Sequence, residues 1–292
     1  MQRISELFLL AALGFAASHL IACSDSGNDA GSGGSSGGGS VDAGAGGFAG
    51  SAFNQCGVAA PPPASTGQCT AVSAPTITNF DDYSGGAASS YSYYVNAKPP
   101  APDAVLGTIL HVGDGSDMGG TPSIITTEMV AGENGGGYAL RIADSNAQHW
   151  GGLLMFYFPS SAATTACLDG HGYGGLAFSI QGASPSGRVA VTLGMLDTIP
   201  TSDHGLCDST PSSDCKDATI EVSLPTDATT WKQVQLTWSS FTPGVGSGQS
   251  CVPVTGQNLV RLVIQPLMRY PPPDYMFAPG PYTIAVDDVR FY

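Results

Sequence analysis

The chain has 292 residues and a formal net charge of −14, a length that allows one or two domains. Only 9 Lys and Arg stand against 23 Asp and Glu; this excludes a nucleic-acid partner, which needs clustered cations, and an anionic lipid surface would repel the folded part. With 40 Gly, 21 Pro and 11% charged residues, the composition describes short turns rather than long salt-bridged helices.

In chain order, residues 1–22 read as a leader. Arg3 supplies the positive start, and "LFLLAALGFAASHL" is an apolar run too short for an ordinary membrane span. It ends in "LIAC", Leu20 to Cys23, which resembles the bacterial lipobox. That resemblance implies cleavage before Cys23 and lipidation of its thiol; the plainer alternative is an ordinary signal peptide with a chance cysteine. Ser24, not Asp, follows the cysteine. In the resembled sorting scheme this implies an exported protein held at the outer membrane or cell surface, touching the membrane only through its lipid anchor. Residues 23–52 are mostly Gly, Ser, Ala and Asp, and cannot bury enough apolar surface to offset their ordering entropy, so they read as a tether. Within them "GGSSG" (33–37) matches the nucleophile-elbow pattern, but without the strand and helix that the motif requires. Residues 53–74 form a Cys- and Pro-rich loop ahead of the main domain, 75–292.

Setting Cys23 aside leaves Cys56, Cys69, Cys167, Cys207, Cys215 and Cys251. An even number in an exported chain implies disulfides. Short loops of turn residues favour Cys56–Cys69 and Cys207–Cys215, leaving Cys167–Cys251, although sequence alone leaves the connectivity open. Zinc is disfavoured, because no C-x-x-C occurs and no His lies at ligand spacing from a Cys.

From residue 75 onward short runs with a two-residue period alternate with turn clusters. They are "YALRI" (138–142), "GGLLMFYF" (151–158), "GLAFSI" (175–180), "RVAVTLGM" (188–195), "TIEVSL" (219–224), "KQVQLTW" (232–238), "LVRLVIQ" (259–265) and "YTIAVDDVRFY" (282–292). Leu176, Phe178 and Ile180 share one face of their strand, as do Val260, Leu262 and Ile264 of theirs. No stretch after the leader carries a helical apolar period. The expected fold is all-β, an antiparallel β-sandwich or jelly roll in a single monomeric domain. "HVGDGSDMGG" (111–120) reads as a turn-rich loop.

The order of elements resembles a known family. "ITNFDDYSG" (77–85), "HWGGLLMFYF" (149–158), "CLDGHGYGGLAFSIQG" (167–182), "TTWKQVQLTWSSF" (229–241) and "IAVDDVRFY" (284–292) follow one another as in the galactose-binding-like sandwiches of carbohydrate-binding modules. They are similar in particular to the noncatalytic sandwich domains of acidic myxobacterial lipoproteins. The resemblance covers residues 75–292; "RYPPPDYMFAPGP" (269–281) is an insertion relative to it. It implies a glycan partner, neighbouring first and last strands, and a structural Ca²⁺ between their ends held by Asp81 or Asp82 and by Asp287. Two carboxylates with carbonyls and waters can satisfy that ion. The alternative is that Asp287 accepts backbone hydrogen bonds while Asp288 faces solvent.

Sugar recognition pairs flat rings with planar polar groups. Trp150 and His149 in "NAQHWGG" are candidates for stacking and for a hydroxyl contact, or else a core ring and a surface His. Arg261 and Gln265 project from one face of their strand, and Tyr275 sits in the proline-rich insertion, where reduced chain entropy favours presentation of a ring. Trp231 and Trp238 read as structural. Catalysis is not expected. After the leader the Glu residues are Glu128, Glu133 and Glu221, none in a hydrolase motif, and no nucleophile motif occurs outside the tether. The sequence therefore points to a surface-anchored carbohydrate-binding module. The alternatives are a structural or adhesive envelope lipoprotein without a small ligand, or a secreted hydrolase.

Overall fold

A computed structural model describes residues 69–81, 108–113, 126–147, 151–158, 167–203, 205–208, 215–268 and 278–292. All of them fall in one compact unit, Ala49–Tyr292. They form fifteen strands, numbered in chain order, joined by turns and short 3-10 segments, with no α-helix among the described residues. No helix among them is long and apolar enough to cross a membrane.

The strands make two main sheets, so the expected antiparallel sandwich is what the chain forms. One has seven strands: β1 (Thr70–Ala71), β3 (Thr108–Gly113), β6 (Gly152–Tyr157), β7 (Leu168–Asp169), β9 (Arg188–Met195), β10 (Ala218–Ser223) and β14 (Leu259–Pro266). The other has six: β2 (Thr76–Thr78), β4 (Thr126–Ala131), β5 (Tyr138–Ala147), β8 (Gly175–Ala183), β11 (Lys232–Thr237) and β15 (Gly280–Phe291). β12 (Gly244–Val245) and β13 (Cys251–Val252) form a separate two-stranded ribbon. All strand pairs are antiparallel except β1 with β7.

Alternation dictates the layers. Leu154 and Phe156 of β6, Val189, Val191 and Leu193 of β9, and Leu262 and Ile264 of β14 meet Leu140 and Ile142 of β5, Leu176, Phe178 and Ile180 of β8, and Ile284 and Val286 of β15. Aromatic rings close the ends: Phe158, Tyr173 and Trp238 surround Phe291 with ring centroids 5.4–6.2 Å away. Trp238 is buried as expected, in a 3-10 turn after β11, and its Nε1–H donates to the Tyr173 carbonyl at 2.7 Å.

Three expectations change. Cys69 pairs with Cys167, not Cys56, because β1 lies parallel to β7 and brings the two Cα atoms to 4.6 Å. Cys207–Cys215 forms as expected, and Cys251 is disulfide-bonded to a partner outside the described residues rather than to Cys167. His111–Gly113, read as part of a loop, completes strand β3 on the edge of β6. The sandwich also begins earlier than residue 75, since β1 at Thr70–Ala71 already belongs to a sheet.

Candidate functional site

Two regions gather polar side chains. The first lies where the last strand meets the first. β15 pairs with β5 and β8 as far as Asp287, then shifts register before Arg290, and beyond that bulge it pairs with β2 through Val289 and Thr78. Asp288 takes up the extra residue, with φ at 50°, a left-handed conformation that Asp tolerates better than most residues. The bulge gives the adjacent aspartates different surroundings. Asp288 is exposed enough to pair loosely with Arg290, at 3.8 Å. Asp287 is buried, and its carboxylate accepts the N–H of Glu133 at 2.8 Å and that of Asp288 at 2.7 Å. Of the two alternatives read from the sequence, backbone hydrogen bonding by Asp287 with a more exposed Asp288 is the one these contacts describe.

The Glu133 amide belongs to the β4–β5 connection, which folds over Asp287 and hydrogen-bonds onward, since Glu133 Oε2 accepts from Ser179 Oγ at 2.5 Å. Asp81 approaches the same connection from the other side, accepting the Tyr138 N–H at 3.3 Å and the Asn79 side-chain amide at 3.0 Å. A Cβ on Gly137 would sit 1.4 Å from Asp81 Oδ1, and φ is 62° there, so only glycine fits. Phe80, just before Asp81, holds φ at 57° with a fully buried ring. Core packing maintains that costly conformation. Burial pushes the Asp287 carboxyl up to about 6, against the lowering effect of its two backbone hydrogen bonds, and the nearby charges of Asp288 and Asp81 push the same way. Among the described residues no group of three or more His, Cys, Asp or Glu converges as a metal cluster. Asp82 lies outside the described residues.

The second region is the outer face of the seven-stranded sheet, across β6, β14, β9 and β10. Register sets its rows. Arg261 lies opposite Tyr157 on one side and Gly194 on the other; Val263 lies opposite Met155 and Thr192, and Thr192 opposite Thr219; Gln265 lies opposite Ala190, and Ala190 opposite Glu221. The middle row is a shallow floor: Val263 is buried, Met155 half-buried, and the Thr192 and Thr219 hydroxyls hydrogen-bond at 3.1 Å. The row beside it carries charge. Arg261 donates to Asp217 Oδ2 through Nη2 at 2.7 Å and Nε at 3.2 Å, while Asp217 Oδ1 accepts the Thr198 hydroxyl at 2.8 Å. Burial works against the guanidinium charge, but Asp217 and then Tyr157 outweigh it, and the Arg261 pKa is raised. The side chain lies across Gly194, where a Cβ would stand 2.6 Å from Arg261 Cγ. At the far row Arg188 pairs with Glu221 at 2.5 Å.

One wall of this floor is the β9–β10 connection. Leu196 and Ile199 pack there with Cys167 and Val260 in a second small apolar cluster, and the Cys207–Cys215 disulfide closes the excursion. The other end lies beyond Gln265, where β14 ends at Pro266. There the Ala278 N–H donates to the Met268 carbonyl at 2.7 Å, and Met268 packs against Gly151. Gln265 precedes Met268 by three residues.

Of the sequence candidates, Arg261 and Gln265 do share the outer face, with Arg261 engaged in an ion pair rather than standing free. His149, Trp150 and Tyr275 lie outside the described residues. Sequence reading missed Tyr157, because "GGLLMFYF" is apolar throughout and its outward set, Leu153, Met155 and Tyr157, cannot be told from its inward set. It missed Asp217 and Glu133 because nothing local marks them: the partners of Asp217 lie 19 and 44 residues away, and those of Glu133 lie 46 and 154.

No protein-family model and no curated protein matches the chain. Among solved structures it is similar to a family 11 carbohydrate-binding module from Clostridium thermocellum in complex with a β-1,3-1,4-mixed-linked tetrasaccharide, with 12% identity and a TM-score of 0.38, covering 63% of this chain and 86% of that one. It is also similar to the family 11 module of a cellulosomal cellulase of Clostridium thermocellum, with 13% identity and a TM-score of 0.37, covering 75% of this chain and 95% of that one. A family 30 carbohydrate-binding module gives 13% identity and a TM-score of 0.34, covering 59% of this chain and 84% of that one. At this distance the functional reading rests on this chain's own residues.

Proposed function

We propose that this chain is a noncatalytic, surface-tethered β-sandwich that binds carbohydrate weakly along the outer face of its seven-stranded sheet. One observation carries the reading. Tyr157, Arg261 and Gln265 lie on a single face with a hydroxyl-lined, apolar floor between them. An aromatic ring, planar polar side chains and an apolar floor are the complement of a sugar ring, which has an apolar face and a polar edge. The shallow floor fits a weak, extended contact rather than a deep pocket.

Ca²⁺ is proposed at the strand ends, with Asp287 and Asp81 as hard oxygen donors, Asp82 following in sequence, and carbonyls and water completing the six to eight ligands that the ion takes. The residues fit such an ion: each carboxylate oxygen that accepts one N–H keeps another lone pair. A cation would supply charge where burial and two neighbouring carboxylates raise the Asp287 pKa. Lipidation at Cys23, with anchoring at the outer membrane or cell surface, completes the proposal. The Cys69–Cys167 and Cys207–Cys215 disulfides fit an oxidising compartment.

The test is affinity electrophoresis of the oxidised, full-length protein against a polysaccharide panel, with calcium and with chelator. Retardation by a glycan that is lost in Trp150→Ala and Gln265→Ala supports the reading. No retardation by any glycan removes it in favour of a structural envelope module.

A further inference from the structure

The charge pattern of the outer face bears on the class of glycan. Among the described residues, the outward positions of β6, β9, β10 and β14 carry two cations, Arg188 and Arg261, and each already faces a carboxylate. Arg261 is held by two hydrogen bonds from Nε and Nη2 to Asp217, whose other oxygen is fixed by Thr198. Arg188 is held by Glu221 at the opposite row. The pairs flank the floor of Met155, Val263, Thr192 and Thr219, so a ligand lying there meets two neutral ion pairs and two hydroxyls. The net charge of −14 opposes the approach of an anion at long range. A site for uronates or sulfated sugars needs an Arg or Lys free to form charge-assisted bonds to the anion. Here both guanidinium groups have their charge satisfied by the protein.

We infer that the outer face is built for an uncharged polysaccharide and against acidic ones, with Asp217 and Glu221 as the specificity-determining residues. The inference rests on the carbohydrate-binding reading of the same face. Glu221 is the more accessible of the two carboxylates, with its side chain 40% exposed, so it can be altered with less risk to the fold than Asp217.

The experiment uses the full-length protein in affinity gels containing either a neutral glycan, such as a mixed-linked glucan, xylan or galactan, or an acidic one, such as polygalacturonate, alginate or chondroitin sulfate. The gels are run at about 0.02 M and about 0.5 M salt, across which screening changes several-fold. The expected result for the wild type is retardation by a neutral glycan, changing less than about twofold with salt, and none by the acidic set. Glu221→Gln is expected to gain retention on an acidic glycan at low salt, about two- to fivefold, on the scale of one exposed ion pair, and to lose it at high salt. Asp217→Asn, checked for folding by its melting curve, is the second variant and is expected to shift the same way. Retention of the wild type on an acidic glycan, or no gain in either folded variant, overturns the inference and leaves the carbohydrate reading standing. Retention on neither class overturns both.

Discussion

Asp287 Oδ2 accepts the backbone N–H of Glu133 at 2.8 Å, joining the last strand to the β4–β5 connection across 154 residues of sequence. The bond also explains why the chain places two carboxylates side by side in its closing strand. The bulge at Asp288 lets Asp287 turn toward the connection without moving Val286 or Val289 out of the core. Asp287→Ala leaves the Glu133 and Asp288 amides without their acceptor, a loss of about 1–3 kcal/mol for a buried site. Chemical denaturation in chelator checks this. The same variant checks the proposed ion: calcium at about 100 times its Kd adds about 2.7 kcal/mol to the wild type, and adds nothing to Asp287→Ala. An equal calcium response in both proteins places the ion elsewhere.

The raised pKa of Asp287 has a signed consequence for stability. Burial raises the folded carboxyl from the ordinary aspartate value of 3.8 to about 6, so the folded state holds its proton more tightly. That contribution to stability is fully present below about 4 and is lost as the pH rises through about 6. Other carboxylates titrate over the same range, so the difference between wild type and Asp287→Asn isolates this one. In chelator the wild type is expected to lose melting temperature relative to Asp287→Asn between about pH 4 and pH 6.5. A flat difference across that window refutes the assignment.

The two described disulfides differ in what they close. Cys69–Cys167 spans 98 residues and Cys207–Cys215 spans 8. In the loop-entropy model the longer closure is worth about 4.7 kcal/mol and the shorter about 2.6. Cys69→Ser with Cys167→Ser is thus expected to lower unfolding free energy by about 2 kcal/mol more than Cys207→Ser with Cys215→Ser. The second pair also loosens one wall of the outer face, so its expected signature is weaker glycan retention with the sandwich still folded. Far-ultraviolet spectra measured beside affinity gels separate the two effects.

The sequence carried the layering and concealed the site. Strands whose large apolar residues alternate with small or polar ones, such as Leu176–Phe178–Ile180 and Val189–Val191–Leu193, were legible because a two-residue period marks them even though both strands are largely buried. β1 and β7 were hidden because each has two residues, and β3 because its Gly-Asp-rich continuation reads as a turn. The Cys69–Cys167 bridge was illegible for a related reason: it follows from a parallel pairing of two very short strands, which no local pattern announces. Asp287 was legible as unusual, because aspartate is rare in strands. Its partner Glu133, and Asp217 beside Arg261, depend on contacts between distant segments, so only the fold brings them together.

Arg261 shows how placement on a face and function must be separated by experiment. Its side chain is 19% exposed and that of Asp217 is 12% exposed, so removing one partner leaves the other charged and poorly solvated. Arg261→Ala is expected to destabilise the protein by about 3–5 kcal/mol, whereas replacing Arg261 with Met and Asp217 with Leu together is expected to cost far less, because no charge is left unpaired. Denaturation curves of the two singles and the double give the coupling directly. Loss of glycan retention in Arg261→Ala alone therefore does not place Arg261 against a sugar. The folded double variant does. If it still retains the glycan, Arg261 serves the sheet; if it is stable and no longer binds, the ion pair is part of the recognition surface.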